Sequence, residues 1–252
     1  MPELPEAERA RREIEKALGR AIHGVDDRDG YVCRPHAPGE LAAAFLGRRL
    51  TSAHRRGKFL WVETDDGDGP VLGLHLGMAG RIVIDGEPAP RRWDRFTLEF
   101  EGGGRLALRD KRRLGRAVLE PDYSHVGPDA GEIGAGGFAK RVGRGTVAIK
   151  ARLLDQGVVA GIGNLLADEV LWRAKLSPLR PAGDLQPAEL SRLHRHLRTA
   201  IADAIRLGGV HTGDFIPHRT RAGACPRCGT AVERATVGGR TTFWCPKEQD
   251  SP

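Results

Sequence analysis

The sequence has no apolar run long enough to cross a bilayer as a helix, no internal repeat and no long low-complexity tract. Its opening, Met1-Pro2-Glu3-Leu4-Pro5-Glu6, lacks the basic and apolar regions of a signal peptide. These absences read as a cytoplasmic protein without a membrane partner. Cysteine is scarce, at 4 of 252 residues, and three of the four fall after position 224. A disulfide scaffold is therefore excluded, and a chain of this length buries adequate cores without one. What is present is a 40% hydrophobic and 29% charged composition, which excludes wholesale disorder. Lys+Arg 40 against Asp+Glu 33 gives a net charge of +7. That excess favours a polyanionic partner, but it does not separate a nucleic-acid enzyme from a passive binder or a merely basic protein.

Along the chain, Ala7, Ala10, Ile14, Ala17 and Leu18 step by threes and fours, with Arg9, Arg11, Arg12, Glu13 and Glu15 left to water. This predicts an amphipathic helix with Pro5 at its entry and Gly19 at its stop. From Arg49 to about Glu120 the pattern becomes strand-like. Residues 59–62 and 71–74 are short apolar runs between Asp/Gly clusters, and Phe96, Leu98 and Phe100 alternate with polar residues. Gly102-Gly103-Gly104 turns the chain, and Leu106 and Leu108 resume the alternation, a hairpin signal. Several such strands after one helix suggest a β-sandwich or barrel. Residues 121–137, rich in Gly, Pro and Asp, read as an interdomain linker. Helical patterns follow at 149–156, 165–175 and 187–207, the last ended by Gly208-Gly209. The tail from Cys225 reads as a short β-hairpin around Gly238-Gly239. The expected class is α+β in two domains: an N-terminal domain over 1–120, the linker, a helical domain over 138–216 and a hairpin module over 217–252.

Cys225-Pro-Arg-Cys228 is followed after sixteen residues by Cys245-Pro-Lys-Glu248. The first half and the spacing match a zinc ribbon, in which two tight turns aim thiolates at one ion. The fourth cysteine position holds Glu248. A carboxylate binds zinc at about 2.0–2.2 Å, so Glu248 is the candidate fourth ligand, with His211, His218 and Asp250 as others. A zinc-free hairpin held by Trp244 is the competing reading. Cys33 lies far from this cluster and reads as a small buried hydrophobe.

Removal of Met1 would leave Pro2 with a secondary amine. An α-amino group has a pKa near ~8, so a useful fraction is unprotonated at neutral pH. Such an amine can attack an aldehyde-like carbon and form a cationic iminium, an electron sink. Glu3 and Glu6 lie beside it as candidate proton carriers. The structural alternative is a helix start with Pro and acidic residues in favoured places.

Taken in order, Pro-Glu-Leu-Pro-Glu at the start, Gly-Lys at 57–58 and His75-Leu-Gly-Met-Ala-Gly80 form one series. Asp110-Lys-Arg-Arg-Leu-Gly115, Ala160-Gly-Ile-Gly-Asn164 and the ribbon with Arg240 complete it. The chain resembles, from end to end, the formamidopyrimidine-DNA glycosylase/endonuclease VIII family of base-excision repair enzymes. The resemblance implies a helix-capped β-sandwich, a helix–two-turns–helix domain and a zinc finger. It also implies a monomeric, cytoplasmic, nucleoid-associated glycosylase with β,δ-elimination lyase activity on double-stranded DNA holding a damaged base or abasic site. By the same resemblance Pro2 is the nucleophile at C1′, Glu3 the proton shuttle and Glu6 its second carboxylate. Lys58 contacts phosphate beside the lesion. Asn164 and Arg240 hold the flanking phosphates, contacts that supply affinity and register. Met78, Arg113 and Leu114 fill the void left by the flipped nucleotide. Gly161 and Gly163 would let backbone approach a phosphate, and Asn164 would open a helix with free N–H groups.

The sequence also departs from the family pattern. Ala stands at 7 where Val is common, and Leu at 114 where the oxidised-purine enzymes have Phe. Only fifteen residues separate Gly209 from Cys225, a shorter segment than the oxidised-guanine enzymes carry, so the lesion and opposite base stay open. A relative that binds damaged DNA without catalysis is the alternative function. A zinc hydrolase using the three cysteines and an open fourth position is a third.

Overall fold

The structure, a computed structural model, describes residues 2–85 and 91–249. It divides into two compact units, one formed by Ala7–Ser124 with Pro2, the other by His125–Pro252 with Glu3–Glu6.

Helix α1 spans Leu4–Glu15. Its last residues tighten into i→i−3 turns, Ala17 bonding Ile14 at 2.8 Å and Leu18 bonding Glu15 at 3.2 Å, before left-handed Gly19. The regular helix thus ends four residues before the expected stop at Gly19, while Ala17 stays buried. Strand β1 (Ile22–Asp26) and the short helix α2 (Glu40–Phe45) follow. Then come β2 (Leu50–Arg56), β3 (Phe59–Thr64), β4 (Leu72–His75), β5 (Arg81–Ile84), β6 (Asp94–Phe100), β7 (Arg105–Arg109) and β8 (Arg116–Leu119). They form two four-stranded sheets, ordered β1-β6-β7-β5 and β2-β3-β4-β8. Every pairing within these sheets is antiparallel. In β3 the alternation is strict: Leu60, Val62 and Thr64 point inward, and Phe59, Trp61 and Glu63 are half-buried. Leu60, Val62, Leu72 and Leu74 of one sheet share a core with Phe96, Leu98, Phe100, Leu106 and Leu108 of the other. That is the expected sandwich, and Ile14 of α1 and Phe45 of α2 join the same core. Cys33 is wholly buried in it, and burial pushes its thiol up to about 12.

In the second unit α3 (Ala135–Val142), α4 (Ile149–Leu154), α5 (Asn164–Arg173) and α6 (Pro187–Leu207) surround a core of Phe138, Ile149, Leu153, Leu166, Val170, Leu193, Leu197 and Ile201. The Gly-rich 121–137 stretch is not an open linker throughout. Val126, Ala130 and Ile133 are buried, and α3 begins at Ala135 and runs through Gly136 and Gly137. Glycine costs about 1 kcal/mol in a helix, and burial of Phe138 and Val142 outweighs that. The helix α6 starts at a capping box between Gln186 and Glu189 with Pro187 in its first turn, and ends at left-handed Gly208. Strands β9 (Glu233–Val237) and β10 (Arg240–Trp244) form the expected hairpin. A separate small core of Trp172, Phe215, Cys225, Phe243 and Cys245 supports it.

Candidate active site and nucleic-acid interface

Glu3 and Glu6 are placed by capping chemistry. Glu3 precedes α1, and Glu6 reaches back so that its Oε2 accepts the Glu3 N–H at 2.9 Å. The other Glu6 oxygen accepts the Val210 N–H at 2.7 Å. The Glu3 side chain reaches beyond its own helix. Fully buried, it lies on the start of α5, where its carboxylate accepts N–H groups of Gly163 (2.9 Å), Leu165 (2.8 Å) and Leu166 (3.0 Å). The positive end of the α5 dipole favours a negative group there. These N–H groups, read from sequence as open to a phosphate, are taken by Glu3. The close approach requires glycine, because a Cβ at Gly163 would fall 2.3 Å from the Glu3 carboxyl carbon. Pro2, half-buried, is bonded directly to this anchored residue.

Lys58 follows Gly57 in the two-residue turn between β2 and β3, with the left-handed φ (61°) carried by Gly57. His75, paired opposite Phe59, has its pKa lowered by burial and by the nearby Lys58 charge.

The residues expected in the void lie on two loops that touch. A Cβ at Gly77 would fall 2.4 Å from the Leu114 carbonyl carbon, so Met78 and Leu114 share one surface. Each is more than one-third exposed, at 39% and 38%, which an ordinary core methionine is not. Asp110, wholly buried, shapes the second loop by accepting the N–H groups of Arg112 (2.9 Å), Leu114 (2.7 Å) and Gly115 (2.7 Å). The Arg113 side chain projects between these anchors and pairs with Asp29 at 2.8 Å.

On the second unit Asn164 donates from Nδ2 to the Thr241 carbonyl at 3.0 Å, while its Oδ1 has no partner among the described residues. Arg240 is exposed at the head of β10, after Gly238 and Gly239, both at positive φ (56° and 70°). This two-residue turn needs that conformation twice. Gly238 also sits against Ala151 of α4, leaving 3.1 Å for a Cβ.

A buried charge cluster, which sequence reasoning missed, fixes β10 to the helices. Lys150 of α4 and Asp168 of α5 are both fully buried and paired at 2.6 Å. Arg219 pairs with the other Asp168 oxygen at 2.8 Å. Lys150 also donates to Thr242 Oγ1 at 2.8 Å, and Asp168 accepts the Phe243 N–H at 3.2 Å. Burial pushes the Lys150 pKa down and that of Asp168 up, each opposed by its partner. Glu169, next in α5, is also buried and accepts from the Asp214 and Phe215 backbones and from Arg173. The available signal was two adjacent acids inside the apolar run from Leu165 to Trp172, since charges buried in such a run require partners.

The three cysteine sulfurs lie within 4.8 Å of one another, and Cys228 to Cys245 is 3.6 Å. Thiolates at about 2.3 Å from a tetrahedral zinc stand about 3.8 Å apart, so the donor set fits a structural zinc ion. Glu248 is not part of that group. Its carboxylate pairs with Lys175 at 3.1 Å, and its backbone N–H donates to Cys245 Sγ at 3.3 Å. His211 and His218 do not join the sulfurs either, and Asp250 lies outside the described residues. Cys225 accepts the Trp172 indole N–H at 3.4 Å, tying the site to α5. Among the described residues no helix is long and apolar enough to cross a membrane.

Comparison with known proteins covers the same segments. A family model described as the formamidopyrimidine-DNA glycosylase N-terminal domain matches residues 1–117. The H2TH domain of the same glycosylase matches 126–215, and a zinc finger found in FPG and IleRS matches 224–247. The formamidopyrimidine-DNA glycosylase of Thermus thermophilus is 38% identical over 273 residues, covering 98% of this chain and 97% of that protein. The one from a Nocardioides species is 36% identical, covering 100% and 95%. Among solved structures, the MutM (Fpg) protein of Thermus thermophilus superposes with a TM-score of 0.81 at 37% identity, covering all of both chains. The Lactococcus lactis Fpg in complex with DNA containing an abasic site gives 0.85 at 30% identity, covering 99% of this chain and 100% of that one.

Proposed function

Since the chain belongs to the formamidopyrimidine-DNA glycosylase family, we propose that Pro2, freed by removal of Met1, opens base excision by attacking C1′ of a damaged nucleotide. The chain is a base-excision-repair DNA glycosylase that acts on double-stranded DNA carrying a lesion, with the lyase activity expected of its family. The new N–C1′ bond forms as the glycosidic bond breaks, and the base leaves with a proton; the Pro2 nitrogen then gives up its own proton, and the C1′–O4′ bond opens as a proton reaches O4′. The resulting iminium acidifies the C2′ proton, so β-elimination expels the 3′ phosphate and δ-elimination the 5′ phosphate.

The observation that carries the role of the N-terminus is the seat of Glu3. A residue pinned by three backbone N–H donors fixes the position of the amine bonded to it, and positioning of this kind supplies much of a covalent catalyst's rate. Glu3 carries the proton, and Glu6 holds the chain start to the Gly209-Val210 turn. Met78, Arg113 and Leu114 fill the void, while Lys58, Asn164 and Arg240 contact phosphate. The zinc ion, held by Cys225, Cys228 and Cys245, supplies structure to the hairpin that presents Arg240. The enzyme works as a monomer in the cytoplasm, at the nucleoid. A zinc hydrolase finds no support, and nothing favours a relative that binds damaged DNA without cutting it.

Borohydride trapping on an abasic-site duplex is the test. Met-processed protein gives a covalent adduct and Pro2→Gly loses it. An adduct of equal yield in Pro2→Gly would overturn the assignment. A panel of defined lesions, read separately for base release and strand cleavage, identifies the substrate base.

A further inference from the structure

We propose that Asp29 is a positioning residue which presents the Arg113 guanidinium edge-on and so sets the preference for the base opposite the lesion. The inference rests on the reading that Arg113 enters the void. Asp29 grips Arg113 in a two-point contact: Nε donates to Oδ2 at 3.0 Å and Nη2 to Oδ1 at 2.8 Å. Asp29 is itself held. It accepts the Tyr31 N–H at 3.1 Å and the Val32 N–H at 3.3 Å, and the Arg95 guanidinium lies 3.6 Å away. Its side chain is only 11% exposed, whereas that of Arg113 is 48% exposed. The anchor is thus mostly covered and the anchored group largely exposed.

The loop beneath is equally constrained. Asp110 holds the Leu114 and Gly115 N–H groups on one side of Arg113 and the Arg112 N–H on the other. Arg113 itself takes a left-handed φ of 57°, an uncommon conformation for a side-chain-bearing residue. The Tyr31 ring, 54% exposed, has the Arg113 guanidinium carbon 5.5 Å from its centroid and that of Arg34 at 4.6 Å. An exposed ion pair contributes little to stability. What a two-point contact fixes is orientation, since the guanidinium is planar and its donors are rigidly forked.

The chemistry that remains exposed follows from the donor count. Arginine has five N–H donors. Asp29 occupies the Nε–Nη2 edge, which leaves the Nη1–Nη2 edge, with two parallel donors, on a side chain that is 48% exposed. Two parallel donors match two adjacent acceptors. Cytosine offers N3 and O2 side by side on its pairing edge, while in thymine an N–H separates the two carbonyls, guanine sets one acceptor beside two donors, and adenine sets one acceptor beside one donor. An Arg113 freed from Asp29 would rotate about its side chain and accept other partners.

The test measures kcat/KM for strand cleavage on abasic-site duplexes carrying each of the four opposite bases, and on the single-stranded abasic oligonucleotide. Wild type, Asp29→Asn, Asp29→Ala, Asp29→Glu and Arg113→Ala are compared, with circular dichroism to check folding. The expected result is an Asp29→Ala preference for cytosine about tenfold weaker than wild type, with single-strand cleavage unchanged. Asp29→Asn, nearly isosteric, shows the same direction, and Asp29→Glu recovers part of the preference. The double variant Asp29→Ala/Arg113→Ala is no worse than Arg113→Ala. Asp29 variants that keep the wild-type ratio while Arg113→Ala loses it would overturn the role of Asp29. So would an equal fall on all five substrates. An Arg113→Ala variant with the wild-type ratio would overturn the reading of Arg113 beneath it, and a wild-type protein that cleaves none of the five would overturn the function itself.

Discussion

The Glu3 carboxylate accepts the Gly163 N–H at 2.9 Å from a position 160 residues away in the chain. A general acid–base candidate is thereby seated on the first turn of a buried helix, and the seat exists because position 163 has no side chain. This contact constrains the chain start from outside its own helix.

Gly163→Ala tests that constraint. The new Cβ would lie 2.3 Å from the Glu3 carboxyl carbon, and displacing Glu3 moves Pro2 with it. Single-turnover cleavage of an abasic duplex falls about 100-fold or more, while affinity for the same DNA changes less than about tenfold. Equal losses in both would point to general misfolding instead.

Glu8 gives a pH dependence. Burial alone would raise its pKa, but hydrogen bonds from Arg11, Arg55 and Arg12 overcome this and hold it at about 2, against an ordinary 4.5. A depressed carboxylate contributes stability that is complete above the unfolded value and lost as pH falls through the folded one. The contribution, on the order of 2 kcal/mol after solvent screening, is therefore present above about 4.5 and lost between about 4.5 and about 2. Urea denaturation of wild type and Glu8→Gln should show a stability gap at pH 7 that closes as pH falls toward 2.

The zinc ligands are separable. Glu248 pairs with Lys175 rather than joining the sulfurs, so Glu248→Ala keeps one zinc per chain by elemental analysis. Cys245→Ala loses the metal, and chelation of wild type reproduces its loss of DNA affinity. Glu248→Cys slows extraction of zinc by a chelator, because a fourth thiolate closes the site.

Breaking the buried pair of Lys150 and Asp168 is costly. Asp168→Ala leaves two cations, Lys150 and Arg219, without their shared partner, a loss of about 3–5 kcal/mol. Replacing both members, as Lys150→Met/Asp168→Leu, recovers much of it. Chemical denaturation measures the difference.

A phosphate role for Arg240 predicts indifference to the lesion. Arg240→Ala weakens binding to damaged and undamaged duplexes alike, and lowers the slope of log affinity against log salt by about 1. Titration at several salt concentrations checks this. A selective loss for one lesion would contradict a phosphate role.

Local patterns made much of the architecture legible. Alternation marked Phe96, Leu98 and Phe100, and the three glycines after them marked the hairpin, because a strand's period of two is written residue by residue. Helices α5 and α6 were visible for the same kind of reason, with ends displaced by one or two residues for α5, where left-handed Lys175 lies beyond the last turn. The missed helix α3 runs through two glycines, so local propensity spoke against it and only the burial of Phe138 and Val142 favours it. The acids at 168 and 169 went unread although they stand inside an apolar run, and their partners are not legible from local pattern at all.

By itself the sequence determined the strand and helix pattern, the cysteine spacing and the ordered motifs that mark the family, since these are properties of neighbours along the chain. The tertiary structure alone decided three matters. It gave the N–H groups of α5 to Glu3, it turned Glu248 toward Lys175 and away from the sulfurs, and it paired Arg113 with Asp29. Each depends on side-chain direction and on which donor reaches an acceptor first, and those are set by packing between segments that local periodicity does not relate.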